Sequence, residues 1–366
     1  MTGTLAGPDV AGALALIKPS VRAQAAYTLE APVTARKLNQ NEAPEDVPAD
    51  LKRAILERAA AAPWHRYPLF FPQHLAERVA ARHGWVAEGV LVGNGSNEVI
   101  QAALTVSVAE GDVVVAPEPT FSLYKLLTGV LGGRYVPVPL GAGFRYDVDA
   151  LVARAQAERA KVVVLCSPNN PTGSALPEGA VERLVRATDA LLFVDEAYQE
   201  FGGPTAVELA KREPRVVVLR TVSKAMGMAG LRFGYALAHP EVAREIAKAK
   251  LPYNVNAITL AAAEVALEQP ERFEARVRHI VAERERLAPR LAALRGVEVF
   301  PSQANFLLLR FHEVAPEAVF TRLVEEAGIL VRDVSRGAGL AGCLRVSIGT
   351  PADNDAVLAA LVKILG

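Results

Sequence analysis

The stretch Lys161-Val162-Val163-Val164-Leu165-Cys166-Ser167-Pro168-Asn169-Asn170-Pro171-Thr172-Gly173 decides the fold. Its first half is a continuous apolar, mostly β-branched run. Its second half is a cluster of turn-forming residues. A short run bounded in this way fits a strand buried on both faces. Similar runs recur at Asp112–Ala116, Tyr135–Val138, Leu191–Asp195, Val216–Arg220 and Phe233–Leu237, with helical patterns between several of them at Ser96–Ala109, Phe121–Leu131 and Pro177–Ala187. Strands alternating with helices predict an α/β fold, a mostly parallel central sheet flanked by helices on both faces.

After Leu260 the texture changes. A helical pattern, interrupted at Pro270 and Pro289, runs to Arg295. Strand-like runs follow at Val297–Phe300, Asn305–Phe311, Ile329–Val331 and Leu344–Ile348, with helical stretches between and after them. That is an α+β texture. We therefore expect a large domain over 39–264 and a smaller one built from 265–366 with 1–38. The N-terminal segment, which lacks strong periodicity, is expected to be an arm.

The chain has 366 residues, 51% of them hydrophobic, enough for a large core and too long for one ordinary domain. Forty basic residues balance forty acidic ones, so composition suggests no face for nucleic acid or anionic lipid. Two cysteines, Cys166 and Cys343, form no CxxC pair and fit a reduced, cytoplasmic setting. The apolar run Val10–Ile17 has no basic residue ahead of it and does not read as a secretory signal. No stretch approaches the apolar length of a membrane helix. The six histidines show no ligand spacing, and no metal is expected.

In open parallel sheets, ligands gather beyond the carboxyl ends of the strands. Here three successive predicted strands end in polar clusters. Lys161–Cys166 runs into Ser167–Gly173, Leu191–Asp195 into Glu196-Ala197-Tyr198, and Val216–Arg220 into Thr221-Val222-Ser223-Lys224. Parallel neighbours bring an amide, a carboxylate, a phenol and a lysine to one crevice. Lysine is the rarer cation in this chain, only 10 of the 40 basic residues. Taken singly, each piece has a plain reading. Asn-Pro-Thr-Gly makes a turn, Asp195 caps a helix, Tyr198 fills core, and Lys224 is a solvated loop residue.

Gly93-Asn94-Gly95-Ser96-Asn97-Glu98 follows the Val90–Val92 run and opens a helix. Free N–H groups at a helix start favour a phosphate. A dinucleotide fingerprint needs Gly where Glu98 stands. The only literal GxGxxG, Gly337–Gly342, precedes a strand instead of following one and reads as a loop. Arg232, eight residues beyond Lys224, can reach the same phosphate bidentately, or can form a structural ion pair.

The set Gly95–Glu98, Pro119-Thr120-Phe121-Ser122-Leu123-Tyr124, Ser167–Gly173, Asp195–Tyr198 and Thr221–Tyr235 resembles the aspartate-aminotransferase superfamily of fold-type I pyridoxal-phosphate enzymes. The resemblance covers nearly the whole chain. Within that superfamily, Leu38–Pro44, Arg66-Tyr67-Pro68, Gln303–Phe306 and Gly342–Arg345 resemble histidinol-phosphate aminotransferases. Two positions depart from their usual pattern: Ala43 stands for an asparagine, and Asn97 for an aspartate.

The resemblance implies pyridoxal 5′-phosphate as cofactor, held as a Schiff base on Lys224, with Asp195 pairing the ring N–H. It implies that Tyr198 and Asn170 bond the ring hydroxyl oxygen, that Phe121 stacks on the ring, and that Gly95, Ser96, Asn97, Thr221, Ser223 and Arg232 surround the phosphate. Tyr67 reaches the cofactor phosphate of a second subunit, which implies a homodimer. Arg345 receives a substrate carboxylate. Tyr27, Asn41, Asn170, Asn305 and Arg332 resemble substrate-contacting positions. The implied reaction, a step of histidine biosynthesis, exchanges an amine between histidinol phosphate and 2-oxoglutarate with ping-pong kinetics.

Three alternatives share these motifs. Aromatic amino-acid aminotransferases and threonine-phosphate decarboxylase use the same cofactor residues. Regulatory domains of this fold bind the cofactor without turnover, usually fused to a helix-turn-helix domain, for which there is little room ahead of Leu38.

Overall fold

The computed structural model describes residues 10–24 and 32–366. Its strands in chain order are β1 (Arg36–Lys37), β2 (Val90–Gly93), β3 (Val113–Glu118), β4 (Arg134–Pro139), β5 (Val162–Cys166), β6 (Leu191–Asp195), β7 (Val216–Thr221), β8 (Gly234–Leu237), β9 (Val297–Val299), β10 (Phe306–Phe311), β11 (Ile329–Leu330), β12 (Arg332–Asp333) and β13 (Cys343–Ser347). The main sheet has the order β2-β8-β7-β6-β5-β3-β4. The run β7-β6-β5-β3-β4 is parallel, and β8 is antiparallel to both β7 and β2. A second sheet, β12-β13-β10-β9, is antiparallel throughout, and β1 pairs with β11.

Period-two alternation fixes which residues face the site. On β6 and β7, Leu192, Val194, Val216 and Val218 belong to one buried cluster. Phe193, Val217 and Leu219 belong to another on the opposite face. Each such side chain contributes about 1.5–3 kcal/mol when fully buried, so slipping the register by one residue is prohibitive. The same alternation puts Asp195 and Thr221 on the Phe193 face, and Glu196 and Arg220 on the other. There Arg220 Nη2 pairs with Glu196 at 2.6 Å, bracing the ends of β6 and β7.

The second sheet has its own core, centred on Phe306, Leu307, Leu344 and Val346. The two sheets meet at a tight crossing. Gly173 has φ +79°, and a Cβ there would lie 2.4 Å from Ser302 Oγ. Gln303 N–H donates to the Gly173 carbonyl at 2.8 Å beside it.

One expectation needs correction. Pro289 does not interrupt a helix, because one helix spans Pro270–Ala292 with Pro289 inside it. Proline forfeits one i→i−4 bond, and this one falls in the last turn, where few bonds remain to lose. Within the N-terminal segment, Val10–Ala15 and Pro19–Arg22 are helical. Among the described residues no helix is long and apolar enough to cross a membrane, and no group of side chains is arranged to hold a metal.

Candidate active site

The ends of β5, β6 and β7 are neighbours, with Cys166 in register with Asp195 and Asp195 with Leu219. Asp195 is only 3% exposed. Its Oδ2 accepts the Tyr124 hydroxyl at 2.6 Å and its Oδ1 accepts the Ala197 N–H at 3.1 Å. Burial pushes its pKa up, opposed by those two bonds and by the charge of Lys224. Among the described residues no cation forms an ion pair with it. A buried carboxylate of this kind is a ready partner for a cationic ring N–H.

Lys224 lies three residues beyond the end of β7. Its Nζ donates to the Gln40 carbonyl at 2.9 Å and sits 5.8 Å from the centre of the Tyr198 ring. Burial, then the positive charges of Arg345, Arg232 and Lys37, pull its pKa down to about 8, against the opposing charge of Glu42. Tyr198 accepts a bond from Asn41 Nδ2 at 3.0 Å, and burial pushes its phenol pKa up. Its ring stands edge-on to Phe306 at 5.3 Å.

Farther along the crevice, Gly95 precedes the helix Ser96–Ser107 with φ +82°. A Cβ there would lie 2.2 Å from Arg232 Nη2, so only glycine leaves room for that guanidinium. Arg232 Nη1 donates to Ser223 Oγ at 3.3 Å. Thr221 Oγ1 accepts from Ser223 N–H at 3.2 Å and donates to the Phe233 carbonyl at 3.0 Å. Two hydroxyls, a guanidinium and a helix start converge in a cup that suits a phosphate. The Asn97 side chain is exposed, which leaves its backbone N–H as its contribution to the cup.

On the other flank, Arg345 on β13 bonds Asn170 Oδ1 through Nη1 and the Asn39 carbonyl through Nη2 at 2.7 Å. Its guanidinium lies 5.2 Å over the Phe306 ring. Arg332 stands opposite Arg345 in the antiparallel register, so both side chains leave the same face. Asn41 (φ +54°) is clamped to the small sheet. Its N–H donates to Ser347 Oγ at 2.8 Å, and its carbonyl accepts from Asn305 Nδ2 at 3.0 Å.

The structure thus brings Lys224, Asp195, Tyr198, Asn170, Asn41, Asn305 and Arg345 together around one crevice, with the Gly95–Arg232 cup at one end. Phe121 is half-buried, edge-on to Tyr124. Tyr67 stands apart. It is 80% exposed and stacks on Tyr253 with ring centres 4.5 Å apart. Tyr27 lies outside the described residues. The sequence reading missed Tyr124 as a site residue. The signal was its place inside the Pro119–Tyr124 block, three residues after Phe121.

These features fit pyridoxal 5′-phosphate on three counts: a desolvated lysine amine, a buried carboxylate that forms no ion pair among the described residues, and a cup that a Cβ at position 95 would fill. The family model for class I and II aminotransferases matches residues 35–361. The chain belongs to this family. As an aminotransferase it is 41% identical over 346 residues to the histidinol-phosphate aminotransferase of Chlorobaculum parvum, covering 94% of this chain and 97% of that one. Its fold matches the crystal structure of histidinol-phosphate aminotransferase from Sinorhizobium meliloti in complex with pyridoxal-5′-phosphate. The TM-score is 0.85 and the identity 26%, over 95% of this chain and 96% of that one. L-threonine-O-3-phosphate decarboxylase from Porphyromonas gingivalis matches with TM-score 0.79 and 24% identity, over 90% and 99% of the two chains; that likeness concerns the fold alone.

Proposed function

We propose that this aminotransferase uses pyridoxal 5′-phosphate to exchange an amine between histidinol phosphate and 2-oxoglutarate, a step of histidine biosynthesis. The observation that carries the reading is the Lys224 amine, desolvated and set beside Tyr198, with the buried Asp195 carboxylate at the end of the neighbouring strand. The relatives that match nearly the full length of both chains support the substrate.

When bound, the cofactor supplies the electron sink that makes the substrate Cα–H acidic. Asp195 would hold the ring N–H. Tyr198 and Asn170 would donate to the ring hydroxyl oxygen, Phe121 would cover the ring, and Gly95, Ser96, Asn97, Thr221, Ser223 and Arg232 would hold the phosphate. With a pKa of about 8, Lys224 is about half neutral at pH 8. Its amine would hold the cofactor and, when free beside the substrate, would take the proton from Cα.

Substrate recognition falls to Arg345 and Arg332. Glutamate brings a carboxylate and histidinol phosphate a phosphate, and guanidinium matches both oxyanions. Asn41, Asn305 and Tyr27 complete the substrate contacts. Two units share this work: 39–264 would hold the cofactor and supply Asn41 to the substrate, while 265–366 with 1–38 would supply the remaining substrate contacts.

A homodimer is part of the proposal, with Tyr67 reaching the phosphate held by a second copy. The exposed cluster of Tyr67, Phe70 and Phe71 around Tyr253 supports it, since a monomer has little reason to leave such a group of aromatic rings in water. A cytoplasmic setting is also proposed, supported by two buried cysteines that are both free thiols.

Borohydride reduction and peptide mapping test the cofactor, with the label expected on Lys224. Steady-state assays with histidinol phosphate, phenylalanine and threonine phosphate test the substrate. We expect histidinol phosphate with 2-oxoglutarate to exceed the others by orders of magnitude in kcat/KM. Release of carbon dioxide from threonine phosphate at comparable efficiency overturns that choice.

A further inference from the structure

We propose that Tyr124 is a positioning residue that sets where the proton shared by Asp195 and the cofactor ring nitrogen resides; this rests on the cofactor reading above. Three observations converge on Tyr124. It is completely buried. Its hydroxyl donates to Asp195 Oδ2 at 2.6 Å. Its ring meets that of Phe121 edge-on, with centres 5.6 Å apart and planes at 89°. One side chain therefore touches both the carboxylate that would hold the ring nitrogen and the ring that would cover the cofactor face.

Tyr124 is itself held firmly. Its N–H bonds the Phe121 carbonyl at 3.3 Å, opening the helix Leu123–Leu131, and its carbonyl accepts Thr128 Oγ1 at 2.8 Å. Among the described residues, Asp195 receives one other hydrogen bond, from Ala197 N–H. Hydrogen bonds to a carboxylate favour its charged form and lower its affinity for a proton. In a water-poor site this effect is larger than in solution. A proton lying between the ring nitrogen and Asp195 goes to the more basic partner. Without the Tyr124 donor, Asp195 becomes the stronger base and draws the proton away from the ring. The ring then withdraws fewer electrons, and the substrate Cα–H is less acidic.

The test uses holoenzyme loaded with cofactor labelled with 15N at the ring nitrogen. Tyr124→Phe keeps the buried ring and deletes only the donor. We expect its 15N resonance to move from the protonated toward the unprotonated position. We also expect kcat to fall about ten-fold, the size of one hydrogen bond to a charged group, with KM within about two-fold because no substrate contact is lost. Fluorinated tyrosine at position 124 is a stronger donor, and the resonance should move the opposite way. That arm also carries the test if the phenylalanine variant does not fold. An identical 15N resonance with tyrosine, phenylalanine and fluorotyrosine overturns the proposal, and a lowered melting temperature alone marks a purely structural role. Failure of the wild-type protein to bind the labelled cofactor, with no borohydride label on Lys224, instead defeats the cofactor reading on which this one stands.

Discussion

Arg345 on β13 of the small sheet bonds Asn170 in the loop after β5 of the main sheet. The two side chains come from different sheets and lie 175 positions apart in sequence. A ligand oxyanion that engages this guanidinium competes with Asn170 for it and is read by both sheets at once.

Replacing Arg345 should therefore hurt both halves of the reaction. For Arg345→Met we expect kcat/KM to fall about 10–100-fold for glutamate and for histidinol phosphate. Arg345→Lys should recover little, because a point charge cannot reproduce the planar fork. A loss confined to one substrate means that another cation receives the second oxyanion.

Lys224→Ala should abolish turnover, a loss of at least about a thousand-fold, together with the visible cofactor band. Near-normal transamination by this variant removes the central assignment.

Asp195→Ala should reduce kcat about a hundred-fold or more, since the ring nitrogen loses its counter-charge. A rate within a few fold of wild type shows that the carboxylate does not serve the ring.

Lys224 also predicts a pH dependence in the cofactor-free protein. Its folded pKa of about 8 lies below the ordinary 10.5, so burial disfavours the charged form. Below pH 8 the amine is protonated in both folded and unfolded chains, and folding bears the desolvation penalty. Between pH 8 and 10.5 the unfolded chain binds more protons than the folded one, so this residue's contribution to stability rises with pH. Thermal melts of apo wild type and Lys224→Met should converge across that window from a lower wild-type value. A constant gap between the two curves contradicts the desolvated amine.

Gly95→Ala tests the phosphate cup. The added methyl meets Arg232, and alanine is strained at φ +82°. Cofactor affinity should fall about ten-fold or more, measured by titrating the apo protein. Unchanged affinity means the phosphate sits elsewhere.

The parallel strands and the polar clusters at their ends were legible because both are local. Val162–Cys166 advertises burial on two faces, and Ser167–Gly173 advertises a turn. Adjacency of β5, β6 and β7 then follows from single helical crossovers between successive parallel strands, which is why Asn170, Asp195 and Lys224 gather as their spacing suggested. Tyr124 was not legible as a partner of Asp195, since the bond spans two elements whose relative height depends on packing. The antiparallel β8 was equally silent, as the run Phe233–Leu237 gives composition without direction. Pro289 misled because proline's cost depends on how many helical bonds remain beyond it, which sequence does not state.

The crossing at Gly173 and Ser302 has a mechanical corollary. Two loops in such close apposition have no room to slide past each other, so a tilt of one sheet against the other would turn about this point. Any relative tilt displaces atoms in proportion to their distance from that point, as with the blades of shears. Residues beside it, such as Asn170 and Asn305, would stay nearly still under such a tilt, and the displacement would fall on the far rims.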